Sequence, residues 1–384
     1  MSKSDQIAEQ IKDTADAVDL IDLPDVTDWC SSGCLTLDLA LSNRYPGGFP
    51  VGRIIQAYGG ASTAKTVVGT TAMGYALRAG YHAFLADVEH TLDTKFASIY
   101  GLDCHHANFH YGFVKEFKSK EGTKEIVHAV GDQPFTIEEL FDHWLGDVLS
   151  MNIRKLRFGV VDTLTVLPAA IEIEKGMNEK GFGAYRAKQI SLGLRKYLHE
   201  LARRGMTLFI IDQTRDNVGN AFGGETTTGG RGMEFYSSVR LYLKHDKKVT
   251  NSAGKEIGIW VKYKVEKNKV APPFRSGKFK ILFDYGMDDI TSSLSFLGEN
   301  SEGIDESYKL TCPVALPICD KCGAIQIAEG PCTCGNGTVK LTTKRIMDWV
   351  SYVEEHNQEE GLRRFVVKIW QEVYRTEPRK QRVF

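Results

Sequence analysis

Short apolar runs alternate with longer stretches of helical periodicity from residue 46 onward. The runs predict strands, and three stretches between them, at 65–78, 137–149 and 184–204, predict helices. Continuously apolar strands that alternate with helices indicate an α/β fold with a mostly parallel sheet covered on both faces. The later strands follow one another without helices, which predicts an antiparallel edge. The predicted strands are residues 53–58, 83–87, 158–162, 207–212, 239–243, 259–265 and 279–283.

Two segments flank this alternating region. A short amphipathic helix is predicted near the start, and it either docks on a neighbouring copy of the chain or packs on its own domain. Its apolar face carries Ile7, Ile11, Ala15 and Val18. Two further amphipathic helices are predicted at 343–355 and 360–373. We therefore expect an N-terminal oligomerisation segment (1–30), an α/β core (31–298) and a small C-terminal domain (299–384).

Composition and charge exclude several classes of protein. The chain has 384 residues, of which 42% are hydrophobic and 25% charged, as in ordinary globular proteins. Its 48 Lys and Arg balance 49 Asp and Glu, so any polyanion must be bound by a local basic patch. No apolar run approaches the ~18 residues of a membrane helix, and the first residues are too polar for a secretory signal. These features predict an intracellular protein.

Five of the eight cysteines lie close together near the C-terminus. The pattern Cys319-x-x-Cys322, then nine residues, then Cys332-x-Cys334 fits a four-thiolate zinc knuckle within residues 312–338. Free thiols remain the alternative, because C-x-C is rarer than C-x-x-C as a ligand pair. Cys312 falls outside the spacing.

Residues 104–125 are polar, aromatic and rich in histidine, and they resemble an insertion. We predict a surface loop. His105, His106 and His110 offer an alternative as metal ligands, but no carboxylate or cysteine pattern accompanies them.

A phosphate-binding pattern follows the first predicted strand. The residues are Gly59-Gly60-Ala61-Ser62-Thr63-Ala64-Lys65-Thr66, which match G-x-x-x-x-G-K-T between a strand and a helix, with Ala64 at the second glycine. Backbone N–H groups of such a loop bind phosphates, Lys65 would neutralise the β- and γ-phosphates, and the Thr66 hydroxyl would bind Mg²⁺. If position 64 needs a positive φ, its Cβ costs on the order of 1 kcal/mol and weakens binding.

Two acidic residues complete the predicted ATP site. Asp162 ends strand 158–162, where a magnesium-side carboxylate is expected, and its order after Lys65 and Thr66 favours this over a structural Asp. Glu89 follows strand 83–87 and would polarise the water that attacks the γ-phosphate. From its position alone, Glu89 is equally well a surface residue near a turn.

Longer strings resemble the RecA family of recombinases of bacteria and phages. They are, in the family's order, SGCLTLDLAL, GGFPVGRIIQAYGG, FLADVEHTLD, YGLD, FGVVDTLTVLPAAIEIE, IIDQTR, AFGGETTTGGRGMEFYSSVRL and VKYKVEKNKVAPPF. They cover roughly residues 30–298, and the strings TTTGG, FYSSVRL and EKNKVAPPF are specific to the family. The resemblance implies a RecA-like ATPase core.

The resemblance also implies roles for single residues. Glu89 corresponds to the family's catalytic glutamate, and Gln213 to the glutamine that senses the γ-phosphate. A buried glutamine that caps its strand remains the alternative for Gln213. Lys267 and Lys269 correspond to a lysine pair that reaches the ATP of a neighbouring subunit; two apart on an extended segment, they point the same way. The positions that bracket adenine and ribose are Asp93 and Phe96.

Two glycine-rich segments correspond to the family's DNA-binding loops. The first spans residues 175–188, and the second spans residues 214–232, with six glycines and two arginines. Basic groups, hydroxyls and backbone N–H groups in such loops bind phosphates, and an aromatic side chain can insert between bases. A solvated linker remains the alternative for the second loop. The implied DNA-binding residues are Phe182, Arg186, Lys188, Arg215, Phe222, Thr226, Thr227, Thr228, Gly229, Gly230 and Arg231.

The resemblance therefore implies an enzyme that uses ATP and Mg²⁺ to form filaments on single-stranded DNA and to exchange strands with a duplex. Its partners would be both forms of DNA and further copies of itself, in the cytoplasm of a bacterial cell or a phage-infected host. One alternative is a RecA-fold ring helicase or DNA motor, which would lack the KNK and TTTGG strings. The other alternative is a DNA-binding filament protein with weak or no ATPase activity, which Ala64 suggests because it replaces a glycine of the phosphate-binding pattern. Glu234 also departs from the family, which usually carries Lys there.

Overall fold

The computed structural model describes most of the chain, namely residues 25–118, 124–128, 136–175, 182–216, 225–227, 230–300 and 312–375. The predicted N-terminal amphipathic helix lies outside the described residues. None of the helices that the structure describes combines the length and the apolar character that crossing a bilayer requires.

The first part of the chain alternates strands with helices. Strands β1 to β7 are Trp29–Cys30, Phe49–Pro50, Ile54–Gly59, His82–Asp87, Phe109–Tyr111, Val114–Lys118 and Lys124–His128. Helices α1 to α3 are Leu35–Ser42, Lys65–Arg78 and Thr94–Ile99. A helical run follows, made of α4, a π-helical stretch and α5, over Ile137–Glu139, Leu140–Leu145 and Gly146–Ser150. The predicted helix 137–149 is thus present, but it widens at its centre, where Phe141, Trp144 and Leu145 are buried in the core.

The second part carries the remaining strands of the main sheet. Strands β8 to β14 are Arg157–Asp162, Met206–Asp216, Glu225–Thr227, Val239–Thr250, Glu256–Asn268, Ser276–Leu282 and Gly286–Asp288. Helices α6 to α9 are Ala170–Lys175, Phe182–Arg203, Gly230–Tyr236 and Asp289–Glu299, and a 3₁₀ turn spans Leu164–Val166.

Ten strands form one sheet, in the order β14-β13-β12-β11-β3-β9-β8-β4-β5, with β10 paired to β9. Neighbours from β11 to β5 are parallel, and those from β11 to β14 are antiparallel. The predicted mostly parallel sheet with an antiparallel edge is therefore confirmed. Strands β11 and β12 extend past the predicted strand ends through mostly polar residues, because the two strands stay paired from Val239 with Asn268 to Thr250 with Glu256.

The sheet is covered on both faces. Ile55, Ala57 and Phe209 face one core, shared with α1 and α2, whereas Ile54 and Ile210 face the other, shared with α4, α5 and α7. Alternate residues of one strand thus serve two cores, as the period of two requires. This arrangement explains why the central strands are apolar throughout.

The prediction of a surface loop for 104–125 is wrong in part. Phe109–Tyr111 form β5, which pairs with β4 at the sheet edge. His110 is only 1% exposed, because it stacks on Phe84 at 4.5 Å between ring centroids and its Nε2 lies 2.9 Å from Nδ1 of His82. Aromatic packing here gives a buried position to a residue that the sequence presents as polar.

The C-terminal residues form a small module beside α9. Strands β15 to β17, Pro313–Cys319, Gly330–Pro331 and Thr338–Arg345, make an antiparallel sheet in the order β15-β17-β16. Helices α10 and α11, Ile346–Glu355 and Glu359–Val373, follow. The predicted helix 343–355 begins too early, since residues 343–345 continue β17. The module contacts the core through the rings of Phe296 and Trp370, 5.4 Å apart, and the 3.0 Å ion pair of Asp289 with Arg363.

Candidate nucleotide-binding site

The turn between β3 and α2 has the backbone of an anion-binding loop. Ser62 and Ala64 both adopt left-handed φ values, of 57° and 67°. Position 64 therefore does need the conformation that glycine adopts most easily, and Ala64 takes it despite its Cβ. Lys65 Nζ donates hydrogen bonds to the carbonyl oxygens of Gly59 and Gly60, at 3.0 and 2.6 Å. The ammonium group is thus held inside the loop that would surround phosphates.

Thr66 and Asp162 meet at the other side of this turn. The Thr66 hydroxyl donates a 2.7 Å hydrogen bond to Oδ2 of Asp162, at the carboxyl end of β8. Burial raises the pKa of Asp162 to about 6, against the lowering effect of the Thr66 hydrogen bond, and Glu89 raises it further. Burial also lowers the pKa of Lys65, an effect that Asp162 opposes. The structure therefore brings the predicted phosphate and magnesium groups together.

A cavity of about 370 Å³ opens over the turn. Residues 61–67 form one wall. The opposite walls consist of Glu89, Phe96, Tyr100, Asp162, Ile211, Gln213, Ile259, Ile281 and Phe283. Sequence reasoning missed the apolar contributions of β12, β13 and the residue after β13. No local motif marks these residues, because only the order of the strands brings them to the loop.

A second cavity, of about 200 Å³, adjoins the first and shares Thr66, Phe96 and Asp162 with it. Asp93 lines it, and its side chain accepts a 2.8 Å hydrogen bond from the Phe96 backbone N–H at the start of α3. Phe96 is 48% exposed and packs edge-on against Tyr100, at 4.7 Å between ring centroids. The two residues predicted to bracket adenine and ribose thus lie side by side beside the loop.

Glu89 and Gln213 face each other across the first cavity. Nε2 of Gln213 lies 3.5 Å from Oε1 of Glu89, a distance at the limit of a hydrogen bond. Gln213 belongs to β9, which pairs with β3 up to Gly59, so the sheet register places Gln213 next to the loop. A side-chain amide here can contact either the carboxylate or a phosphate oxygen.

Lys267 and Lys269 lie elsewhere, beside α8. Nζ of Lys267 donates to the carbonyl oxygens of Glu234 and Phe235, and Nζ of Lys269 donates to that of Phe235 at 3.3 Å. Burial lowers the pKa of Lys267 to about 8, and the charges of Lys269 and Arg240 add to the effect. The two ammonium groups do point the same way, as predicted, but the described lining of the 370 Å³ cavity does not include them.

The predicted first DNA loop, 175–188, is helical in part, and its residues 176–181 lie outside the described residues. Phe182, Arg186 and Lys188 lie in the first two turns of α7. The amphipathic period of α7 extends upstream of the predicted start, so these residues are helical rather than part of a glycine-rich loop. Arg186 forms a 2.9 Å ion pair with Glu172 of α6.

The predicted second loop lies only partly within the described residues. Arg215 belongs to β9 and pairs with Thr226 of β10, and Thr227 pairs with Thr214. Gly230 and Arg231 begin α8. The predicted contacts Phe222, Thr228 and Gly229 lie outside the described residues.

Comparison with known proteins identifies the family of the chain. A family model described as the RecA N-terminal domain matches residues 17–112 and 147–288. The chain belongs to the RecA family. Proteins named Protein RecA are similar to it: that of Trichodesmium erythraeum is 34% identical over 74% of this chain and 72% of its own length. Those of Gloeothece citriformis and Thermosynechococcus vestitus are 34% and 35% identical, over 67% and 70% of this chain and 65% and 67% of theirs.

Membership in the RecA family establishes the general class of the protein. The large mostly parallel sheet fits a RecA-like core, and the relatives imply ATP, Mg²⁺ and DNA as ligands of such a core. The chain spans about two thirds of the length of the relatives it matches. The match to the family model omits residues 113–146, where strands β6 and β7 lie, and stops before the C-terminal module.

The C-terminal module of this RecA-family chain holds four cysteine sulfurs together. The sulfurs of Cys319, Cys322, Cys332 and Cys334 all lie within 4.8 Å of one another. Two of the distances are 3.9 Å, from Cys319 to Cys334, and 3.6 Å, from Cys322 to Cys332. A tetrahedral zinc ion with Zn–S bonds of 2.3 Å requires separations of about 3.8 Å, whereas a disulfide requires about 2 Å. The arrangement therefore fits a four-thiolate metal site better than disulfides.

Backbone N–H groups point to two of these sulfurs. The N–H groups of Lys321 and Cys322 point to the Cys319 sulfur at 3.4 and 3.5 Å, and that of Cys334 points to the Cys332 sulfur at 3.4 Å. These N–H donors lower the pKa of Cys319 to about 6. Gly323 and Gly335, with φ of 71° and 79°, form the tight turns after each pair. Cys312 is buried outside the cluster, as its spacing predicts.

Proposed function

We propose that this chain is an ATP-dependent DNA recombinase, which forms helical filaments on single-stranded DNA and exchanges that strand with a homologous duplex. The observation that carries the proposal is the cavity that joins the phosphate-binding turn to Glu89 and Gln213. Gln213 lies on the strand that leads into segment 214–232, the predicted DNA-binding segment. A γ-phosphate in this cavity would contact a residue connected directly to the DNA-binding backbone.

Each polar group of the cavity has a role in this proposal. Lys65 would exchange its bonds to the Gly59 and Gly60 carbonyls for bonds to phosphate oxygens. Mg²⁺ held by Thr66 and Asp162 would neutralise negative charge on the β- and γ-phosphates. Glu89 would orient the attacking water and accept its proton. The amide of Gln213 would bind the γ-phosphate when it is present.

The proposed enzyme works as an assembly. Lys267 and Lys269 would contact ATP bound to a neighbouring copy, and segment 1–30 would join neighbours. The core would span 31–298 and the C-terminal domain 299–384. The residues proposed for DNA contact are those named above in the two segments, and α7 would present the first group from a helix. We place this activity in the cytoplasm of a bacterial cell or a phage-infected host.

A strand-exchange assay tests the proposal directly. Circular single-stranded DNA is incubated with homologous linear duplex, with and without ATP, and joint molecules are separated on a gel. We expect ATP-dependent joint molecules and an ATPase activity that single-stranded DNA stimulates. Electron microscopy with a non-hydrolysable ATP analogue adds a second criterion: closed rings would support a helicase or motor instead. ATP binding without any DNA-stimulated hydrolysis would support the filament protein that lacks ATPase activity.

We also propose that Cys319, Cys322, Cys332 and Cys334 bind one Zn²⁺. The sulfur separations support this, because they match a tetrahedral thiolate site without rearrangement. The ion would hold β15, β16 and β17 together at one end of the small sheet, where the apolar core is thin. In the described part of this module, the buried residues at that end are Cys319, Cys332 and Val339.

Metal analysis of the purified protein tests the zinc proposal. We expect about one zinc per chain. The variants Cys322→Ser and Cys334→Ser should lose it, because these two cysteines are exposed ligands whose exchange disturbs little packing. Cys104→Ser is the matched control, since Cys104 is partly exposed and lies outside the cluster. A protein with less than a tenth of an equivalent of zinc and four freely titrating thiols would overturn the proposal.

A further inference from the structure

A continuous set of hydrogen bonds crosses three neighbouring strands behind the nucleotide site. Arg240 of β11 donates from Nε to Oε1 of Gln56 in β3, at 2.8 Å. Nε2 of Gln56 donates to Oδ2 of Asp212 in β9, at 3.0 Å. The Thr165 hydroxyl donates to Oδ1 of the same carboxylate, at 2.7 Å. We call these four residues, Arg240, Gln56, Asp212 and Thr165, the cross-strand chain.

Two members of the cross-strand chain are completely buried. Gln56 and Asp212 are both 0% exposed. Along its strand, each follows a residue of the core that α1 and α2 cover. Both side chains therefore lie on the other face of the sheet, with Ile54 and Ile210. Polar groups without access to water must keep their hydrogen bonds in the folded protein. The cross-strand chain therefore has one favourable arrangement of donors and acceptors.

The two ends of the cross-strand chain meet Gln213 and Glu234, which flank the predicted second DNA segment, 214–232. At one end, the Thr165 hydroxyl oxygen accepts a 3.1 Å hydrogen bond from the backbone N–H of Gln213, where the segment begins. At the other end, Nη1 of Arg240 donates to Oε1 of Glu234 at 2.9 Å, in the helix where the segment ends. Glu234 is also the residue whose carbonyl accepts from Lys267. A hydrogen-bonded connection, buried at its centre, thus runs from beside Glu89 to the face that carries the lysine pair.

We propose that Asp212 is a positioning residue, which acts through Gln56, Arg240 and Thr165 to hold both ends of segment 213–234 in fixed relation to the ATP site. A shift of Gln213 on nucleotide binding would move Thr165, and then the carboxylate that orients Gln56 and Arg240. The end of the segment at Glu234 would respond with it. This inference rests on the proposed function only in that the segment binds DNA.

Exchange of the donor and acceptor groups provides a sharp test. In Asp212→Asn, only one acceptor oxygen is left for the two donors, Nε2 of Gln56 and the Thr165 hydroxyl, so one of these bonds is lost. The Gln56 amide cannot turn over to compensate, because its Oε1 already accepts from Arg240. In Gln56→Glu, two buried carboxylates face each other. The double variant Gln56→Glu/Asp212→Asn restores the three bonds of the cross-strand chain: the Asn NH₂ donates to Glu, Glu accepts from Arg240, and the Asn oxygen accepts from Thr165. Its formal charge and its size equal those of the parent chain.

Two readouts are measured on the full-length parent, both single variants and the double variant. The first is the ratio of ATPase rates with and without single-stranded DNA, together with the affinity for a fluorescent ATP analogue. We expect analogue affinity within about threefold of the parent in all variants. The stimulation ratio should fall about tenfold or more in each single variant, and at least half of it should return in the double variant.

The second readout is backbone hydrogen exchange in peptides that cover 206–216 and 230–240, with and without Mg²⁺ and an ATP analogue. In the parent, we expect the analogue to slow exchange in both peptides. In the single variants, only the 206–216 peptide should respond, and the double variant should recover the response at 230–240. This measurement needs no DNA, so a parent without DNA stimulation would refute the proposed function while exchange still decides the positioning role. Responses at both peptides in folded single variants, or no recovery in the double variant, would overturn the proposal.

Discussion

The Thr66 hydroxyl and the Asp162 carboxylate are in direct contact, at 2.7 Å between Oγ1 and Oδ2. An octahedral Mg²⁺ with oxygen ligands at about 2.1 Å requires neighbouring ligand oxygens about 3 Å apart. The two oxygens therefore already stand at the separation of adjacent magnesium ligands, although they belong to different elements, α2 and β8. The sheet and the first turn of the helix thus bring together the two groups that we propose as magnesium ligands.

Lys65→Ala should abolish ATP-stimulated DNA binding. The ammonium group that would bind phosphates now lies within the turn, so its loss removes charge-assisted hydrogen bonds without disturbing the apolar core. We expect ATP affinity to fall about 100-fold, equivalent to about 3 kcal/mol. Fluorescence titration with an ATP analogue and DNA-binding assays with and without ATP measure both effects. Lys255→Ala, at an exposed position, is the control, and unchanged ATP stimulation in Lys65→Ala would refute the assigned site.

Phe283→Ala should weaken nucleotide binding and leave the fold intact. Phe283 is 40% exposed and lines the cavity opposite the phosphate-binding turn. An aromatic face at such a position can stack on a base, and stacking contributes about 1–3 kcal/mol per base. We expect an increase in the dissociation constant for ATP of about tenfold, measured by calorimetry. Phe274→Ala is the matched control, because Phe274 is 71% exposed and does not line the cavity; equal affinities of the two variants would contradict the prediction.

The contrast between Lys65 and Phe283 shows what the sequence can predict. The phosphate-binding turn depends on eight consecutive residues, so its pattern, its strand and its helix are all visible locally. The apolar wall at Phe283 depends on the order of strands across a ten-stranded sheet, and no local pattern in the sequence predicts that order. Gln213 lies between these cases: family resemblance identifies it, and the register of β9 against β3 explains its place.

Prediction and structure also differ at the start of α7 and at the edge strand β5. Phe182 lies between two glycines, and Arg186 and Lys188 carry charge, so composition favours a loop, yet the helical period of α7 extends through them. His110 is buried because Phe84 and His82 provide aromatic neighbours on the next strand. For His110, tertiary packing thus outweighs the preference of the residue itself.

The free energy of unfolding should fall as the pH rises from about 4 to about 7, because of the buried carboxyl group of Asp38. Burial raises the pKa of Asp38 from 3.8 to about 7, against hydrogen bonds from Ser31 and Ser32 that lower it. The folded state thus binds a proton that the unfolded state releases, so the free energy of unfolding falls across this range. The effect is on the order of 4 kcal/mol and is complete above pH 7.

Urea unfolding at pH 5 and pH 8 measures this effect. Asp38→Asn should lose most of the difference in unfolding free energy between the two pH values, because its side chain no longer titrates. Asp284→Asn, at an exposed position, should keep the difference of the parent chain. Comparison of variants is needed because burial also raises the pKa of Asp289 and thus acts in the same direction. An identical pH dependence in Asp38→Asn and the parent would contradict the prediction.

Removal of zinc by a zinc-selective chelator, with Mg²⁺ kept in excess, should loosen the C-terminal module and leave ATP binding unchanged. Two hydrogen bonds join the residues after Cys322 to the helical part of the module. The Tyr352 hydroxyl donates to the Gly323 carbonyl at 2.6 Å, and the Ile325 N–H donates to Oε1 of Gln358 at 3.0 Å. Loss of the ion should therefore expose α10 and α11 as well as the strands. Hydrogen exchange over 312–375 should increase, while exchange over 54–78 and ATP affinity remain as before. Equal increases in both regions would show general unfolding instead.

Two inactive variants should restore each other's ATPase activity when they are mixed. Lys267 and Lys269 contact the carbonyls of α8, and the described lining of the ATP cavity in their own chain does not include them, so we expect them to act on a neighbour. Lys65→Ala lacks the pocket lysine but offers an intact pair, whereas Lys267→Ala/Lys269→Ala offers an intact pocket. In a filament of random order, about a quarter of the contacts between copies would join an intact pocket to an intact pair. DNA-stimulated ATPase of the equal mixture should therefore reach about a quarter of the parent rate. A mixture of Lys65→Ala with a variant that carries all three changes should stay inactive, and no recovery in the first mixture would place the lysine pair outside the shared site.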